Sequence, residues 1–189
     1  MIEALGNSCD SGSSLGLSII RRILLAFLIL MAAPQAFAAG PSLLFDPATE
    51  EVISQDRAGE PWYPASLTKL MTAYVVFHKI KAGQLSLDEK IPVSELAHSQ
   101  PPSKIGVPVG KTVSVDFAIQ ALLVHSANDM AYVLAEASSG SVQAFSAEMN
   151  AHSQKLGMTG SHFVNPNGLF DHRHISTARD IALLASALL

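Results

Sequence analysis

Two short segments of β character are followed by a nearly unbroken series of helical patterns. This imbalance restricts the fold more than any other property of the 189-residue chain. Ser42-Leu-Leu-Phe45, Asp46-Pro-Ala-Thr49 and Glu51-Val-Ile-Ser-Gln55 read as strand, turn and strand, because Asp and Pro favour the turn and its flanks are apolar or β-branched. Pro61-Trp-Tyr-Pro64 is extended, since residues before proline avoid the α region. From Ser66 the period changes: Leu67, Leu70, Met71, Tyr74, Val75 and His78 recur at three- and four-residue steps until Gly83. Residues 91–110, with four prolines and two glycines, read as loop or short turns. Ser114 is placed to cap a helix carrying Phe117, Ala118, Ala121, Leu122 and Val124. Helices over 130–137 and 142–156 follow, the second stopped by Gly157, and Ser176 or Thr177 caps a last one. Two strands are marginal by themselves. The pattern therefore predicts an α/β domain, an N-terminal hairpin plus a helical lobe, whose closing strands lie beyond Leu189 and whose open hairpin edge promotes association.

The N-terminal region predicts export. Arg21-Arg22 precede an 11-residue apolar run over 23–33, and Ala36-Phe37-Ala38 is a small-x-small cleavage site. A bilayer-spanning helix needs about 20 apolar residues, so the run is too short to span. The expected organisation is an extension over 1–18, a signal peptide over 19–38 and one domain over 39–189. Cys9, the only cysteine, lies in the removed part, so the exported domain would have no disulfide and no thiolate chemistry. With 12 Lys+Arg against 16 Asp+Glu and no basic cluster, the chain lacks an electrostatic grip for nucleic acid.

Pro64-Ala-Ser66-Leu-Thr-Lys69 is the segment richest in chemistry. Ser66 sits where an extended stretch enters a helix, and Lys69 is one turn on, on the same face. Backbone N–H groups at a helix start suit a developing oxyanion. A neutral lysine can take the hydroxyl proton without any histidine. The lysine must first lose about three pKa units, through desolvation by Leu67, Leu70 and Met71 or through a nearby cation. Taken alone, such a pair more commonly means an N-cap serine and a surface lysine. A second polar set, Ser126-Ala-Asn128-Asp129, interrupts two apolar helices. Its hydroxyl can relay a proton and its carboxamide can hold a carbonyl and an amine; alone, it is equally a helix-helix turn with Asn128 or Asp129 as a cap.

Taken together, S-x-x-K followed by Ser126-Ala-Asn128 resembles, in motif order, the serine penicillin-recognising enzymes. Asp129 after the triplet, the run from Gly157 to Leu169 and Ser176-Thr-Ala-Arg-Asp180 are most similar to the serine-type D-alanyl-D-alanine carboxypeptidases, low-molecular-mass penicillin-binding proteins of the S11 peptidase family. The resemblance implies a β-lactamase/transpeptidase-like fold and removal of terminal D-alanine from peptidoglycan stem peptides. Ser66 would be the nucleophile, Lys69 the general base, Ser126 the proton relay, and Asn128 the group that positions substrate and lysine. β-Lactam antibiotics would acylate Ser66. It implies no cofactor, no metal and a place in the periplasm or cell envelope.

One element of that pattern is missing. The family's Lys-Thr-Gly, which follows the other two motifs, does not occur; Gly110-Lys111-Thr112 has the wrong order and precedes Ser126. The expectation is therefore the N-terminal portion of such an enzyme, inactive in this form. The competing readings are a class A-like β-lactamase, disfavoured by Ala127 in place of aspartate, and a non-catalytic periplasmic remnant. Gly106 to Thr112 is one residue short of a phosphate-binding loop and contains Pro108, so its glycines are read as turns. His162, His172 and His174 are read as solvated or hydrogen-bonded loop residues, His125 as packing at a helix end, and Glu148, Asp180, Asp88 and Glu89 as solvated faces.

Overall fold

In a computed structural model, residues 21–23 and 40–189 are described, and the chain divides into two units, 1–39 and 40–189. Of the first unit only 21–23 are described, as helix. The expected signal segment and Cys9 otherwise lie outside the described residues.

The second unit opens with β1 (Ser42–Phe45) and β2 (Val52–Asp56), an antiparallel pair in which Ser42 faces Asp56 and the register shifts between Leu44 and Phe45. This is the hairpin the Asp46-Pro47 turn predicts. All of β2 is exposed, including Val52 and Ile53. A 3₁₀ turn, Ala65–Leu67, then leads into α1 (Thr68–Lys81). The regular helix thus starts two residues after Ser66 rather than at it.

Residues 91–110 are more ordered than their prolines and glycines suggest. β3 (Lys90–Pro92) pairs antiparallel with β4 (Thr112–Ser114), and α2 (Glu95–His98) lies between them, capped by Ser94. Three-residue strands and a four-residue helix are too short to show a period, so pattern alone cannot reveal them. The rest of the lobe is α3 (Val115–Val124), α4 (Asn128–Ser139), α5 (Val142–Lys155) and α6 (Ala178–Leu188). Ser114, Ser141 and Thr177 cap α3, α5 and α6 by accepting from the N–H groups of Phe117, Ala144 and Asp180. Each such cap is worth roughly 1 kcal/mol. Helix α5 ends as its sequence predicts, with Gly157 left-handed at φ 72°.

α1 is the central helix, and α3, α4, α5 and α6 all pack against it. Met71, Ala73, Val75 and Val76 are 0% exposed, so most of its circumference is covered. They meet Leu122 of α3, Met130 and Leu134 of α4, Phe145 and Met149 of α5, and Leu184 of α6 in one apolar cluster. Burying side chains of this size is worth about 1.5–3 kcal/mol each, which fixes α1 and therefore the first turn that carries Ser66 and Lys69. Two isolated bridges join loop segments: Trp62, just before that turn, exchanges backbone hydrogen bonds of 2.8 and 2.9 Å with Ser176, and His162 pairs with Ile175.

Candidate active site

Lys69 is only 3% exposed although it belongs to the most water-seeking side-chain type. Its Nζ lies 3.3 Å from Ser66 Oγ, 3.0 Å from Asn128 Oδ1 and 3.0 Å from the carbonyl oxygen of Asn167. Burial pushes its pKa down from 10.5 to about 8, and no neighbouring cation is needed for the shift. About one molecule in ten then carries a neutral amine at pH 7, against a few per ten thousand for an ordinary lysine.

The three contacts also orient the amine. A neutral amine has two N–H donors and one lone pair. Asn128 Oδ1 and Asn167 O only accept, so they take both donors. The remaining direction, toward Ser66 Oγ, is then the lone pair, which is what a base requires. Asn128 presents its oxygen rather than its nitrogen because Nδ2 donates to the carbonyls of Pro101 (3.1 Å) and Pro102 (3.2 Å). Its backbone N–H is held by Ser103 O at 2.7 Å. Asn128 is therefore the first residue of α4 and no cap; the N-cap position is Ala127, without a side-chain bond. Asp129 is not a cap either: it is fully buried and accepts from the N–H groups of Ile105, Gly106 and Met130, anchoring the loop that fixes Asn128.

Ser126 adopts φ 56° in the break between α3 and α4, a left-handed conformation uncommon for a residue with a side chain. It lines, with Pro64, Ser66, Lys69, Leu70 and Leu122, an open cleft of about 390 Å³. The structure thus brings Ser66, Lys69 and Asn128 into direct hydrogen-bond contact and sets Ser126 on the same cleft wall. Ser66 itself is exposed at the cleft.

Two sequence expectations need correction. The N–H groups just after Ser66 are not free for an oxyanion: Leu67 N–H donates to Pro64 O and Thr68 N–H to Ala65 O, because the chain tightens into a 3₁₀ turn there. Asp180 is not on a solvated face: at 1% exposed it accepts from Gly160 N–H and the Ser161 hydroxyl, 2.8 Å each, closing the loop before α6. Glu148 is half-buried and paired with Lys79 at 2.8 Å.

The contribution that motif reading missed is Asn167. It is 1% exposed and its Nδ2 donates to Gln100 Oε1, while its carbonyl reaches Lys69. The neighbouring Pro166 carbonyl accepts from Thr72 Oγ1 at 2.6 Å. Gly168, at φ 82°, presses so close to the turn below that a Cβ would lie 1.8 Å from Ala65 O. The signal was present as Asn165-Pro-Asn-Gly168, a turn sequence, but nothing in it says which helix the turn lies over. Gly106 and Gly110 make left-handed turns, as expected of them, whereas His125 stands at the end of α3 as expected but is exposed rather than packed, because the chain turns away there into the break before α4.

Comparison with known proteins gives this cluster a lineage. Residues 29–189 match the family model for D-alanyl-D-alanine carboxypeptidase, peptidase S11. The chain is 38% identical over 181 residues to D-alanyl-D-alanine carboxypeptidase DacC of Escherichia coli, covering 87% of this chain and 45% of that one. The crystal structure of the D-alanyl-D-alanine carboxypeptidase DacD from Francisella tularensis superposes with a TM-score of 0.77 at 41% identity, over 82% of this chain and 38% of that one. Penicillin-binding protein D2 from Listeria monocytogenes, in its cefotaxime-bound form, superposes with a TM-score of 0.70 at 33% identity, over 79% of this chain and 61% of that one. The chain spans about half the length of the curated relatives it matches. Its fold is the mixed α/β architecture of the penicillin-binding proteins, and the chain belongs to the D-alanyl-D-alanine carboxypeptidase family, peptidase S11.

Proposed function

We propose that the site performs serine acyl transfer on the D-Ala-D-Ala end of peptidoglycan stem peptides. The observation that carries this reading is the buried Lys69 amine, 3.3 Å from Ser66 Oγ with both of its donors occupied by carbonyls. Neutral Lys69 takes the Ser66 proton as Oγ bonds to the carbonyl carbon of the penultimate D-alanine. The C–N bond to the terminal D-alanine breaks, and the proton passes from Lys69, by way of the Ser126 hydroxyl, to the departing amine. Water, deprotonated by Lys69, then attacks the ester carbonyl, and Lys69 returns that proton to Ser66 Oγ as the C–Oγ bond breaks. Asn128 seats the substrate amide and keeps Lys69 in register. A β-lactam would acylate Ser66 in the same way, its ring nitrogen being a leaving group that stays tethered.

The domain is exported in this reading, with 19–38 as its signal peptide and the periplasm or cell envelope as its place of work. The missing Lys-Thr-Gly would have supplied a cation for the substrate carboxylate and a further oxyanion donor. One lost oxyanion donor costs roughly 10²–10³ in rate, so acylation should be slow and stem-peptide turnover undetectable in these 189 residues.

Labelling the purified chain with a fluorescent penicillin, beside Ser66→Ala, tests the proposal. Covalent label that accumulates over hours and vanishes in Ser66→Ala is the expected result. Rapid loss of label would indicate a β-lactamase instead. A folded chain that never labels would contradict acyl transfer by these 189 residues.

A further inference from the structure

His174 is only 2% exposed and has no part in the chemistry described above. Its ring joins two segments far apart in sequence: Nε2 lies 2.8 Å from Thr68 Oγ1, and Nδ1 lies 3.2 Å from the backbone N of Val164. A backbone N–H can only donate, so Nδ1 must be the acceptor. The proton therefore sits on Nε2 and is donated to Thr68. Burial pushes the His174 pKa down to about 4, so this neutral form persists at physiological pH, with Asp171 and His162 as the charged or titratable neighbours. Phe163 packs its ring edge-on against the imidazole at 5.6 Å.

Both tethered points flank the base. Thr68 adjoins Lys69 on the first turn of α1, and Val164 begins the 164–168 turn whose Asn167 carbonyl receives a Lys69 donor. We propose that His174 is a positioning residue for the Lys69 base: its neutral imidazole, donor at Nε2 and acceptor at Nδ1, binds the 164–168 turn to the first turn of α1 and so keeps the amine covered and oriented. Without it the turn keeps the Thr72–Pro166 and Asn167–Gln100 bonds, and Asn150 still holds Phe163 ahead of it, but the link from Val164 to the first turn of α1 is lost, and water gains a route to Nζ.

The inference rests on the acyl-transfer reading for its meaning, but its test does not need turnover. The test is an NMR titration of Lys69 in the full chain, labelled at lysine Cε and Nζ, for wild type, His174→Leu, Thr68→Val and His174→Gln. Glutamine can still donate to Thr68 from the Nε2 position. Expected is a wild-type Lys69 that titrates near 8, a rise of about one unit or more in His174→Leu and Thr68→Val, and recovery of most of that rise in His174→Gln. A merely structural role would lower the urea midpoint of these variants and leave Lys69 where it was. That outcome in a folded His174→Leu, or in Thr68→Val if the leucine variant does not fold, overturns the proposal. A wild-type Lys69 near 10.5 would sink the acyl-transfer reading itself, and this inference with it.

Discussion

Replacing Lys69 with methionine should change how the stability of the domain responds to alkali. The folded chain holds the Lys69 proton only to about pH 8, whereas the unfolded chain holds it to about 10.5. Between those values the unfolded state binds more protons, so stability rises with pH, at up to about 1.4 kcal/mol per unit. Below pH 8 both states are protonated, and the full penalty of burying the charge, about 3 kcal/mol, is present and flat. The side chain is almost fully buried, so solvent screening takes little from this figure. Tyr132, whose pKa is raised by burial and by Glu136, works in the opposite sense at higher pH, but it is common to both proteins and cancels in the difference. Urea unfolding of wild type and Lys69→Met from pH 7 to pH 10 measures the effect. The wild-type curve should gain about 2–3 kcal/mol on the mutant over that interval. Parallel curves would show that Lys69 is not desolvated and would remove the physical basis for a neutral base.

Gly168→Ala should lower stability by about 1–3 kcal/mol through its left-handed backbone alone, and more if the turn cannot lift away from Ala65, where the added Cβ would collide; urea unfolding measures it, and an unchanged midpoint would contradict the close packing. Asn128→Leu removes the acceptor that occupies one Lys69 donor and strands the Pro101 and Pro102 carbonyls; Ser66 labelling should fall at least about 10²-fold, and labelling at the wild-type rate would refute the orienting role. At low pH His174 acts in the same sense as Lys69, in a lower window: above pH 6.5 it is neutral in both states, and as pH falls toward 4 the unfolded chain gains the proton first, so stability drops. His174→Gln should flatten that acid limb of a urea-midpoint profile, and an identical limb in the variant would contradict the buried neutral assignment.

The elements that could be read in the sequence are those whose physics is local. The hairpin follows from Asp46-Pro47 between apolar flanks, and the caps at Ser114 and Thr177 follow from their hydroxyls at the start of apolar periods. Ser66 and Lys69 share a face because they are three residues apart. Their joining to Asn128, 59 residues on, was expected only from resemblance, and the structure shows that contact directly. Asn167 and His174 were illegible because their roles depend on one turn lying across another helix, a matter of packing rather than period. Asp180 was misread for a related reason: one buried carboxylate satisfied by Gly160 and Ser161 looks, in sequence, like any acid in the first turn of a helix. The pairing of β3 with β4 joins segments about twenty residues apart that are each too short to announce a strand.

The most direct measurement of the central claim is the rate at which a penicillin adds its mass to the intact chain as a function of pH. If Ser66 is activated by the buried amine of Lys69, the rate should climb about tenfold per pH unit up to a midpoint near 8 and then level off, with no addition in Ser66→Ala. A rate that is independent of pH between 6 and 9, or one still climbing at pH 10, would contradict it.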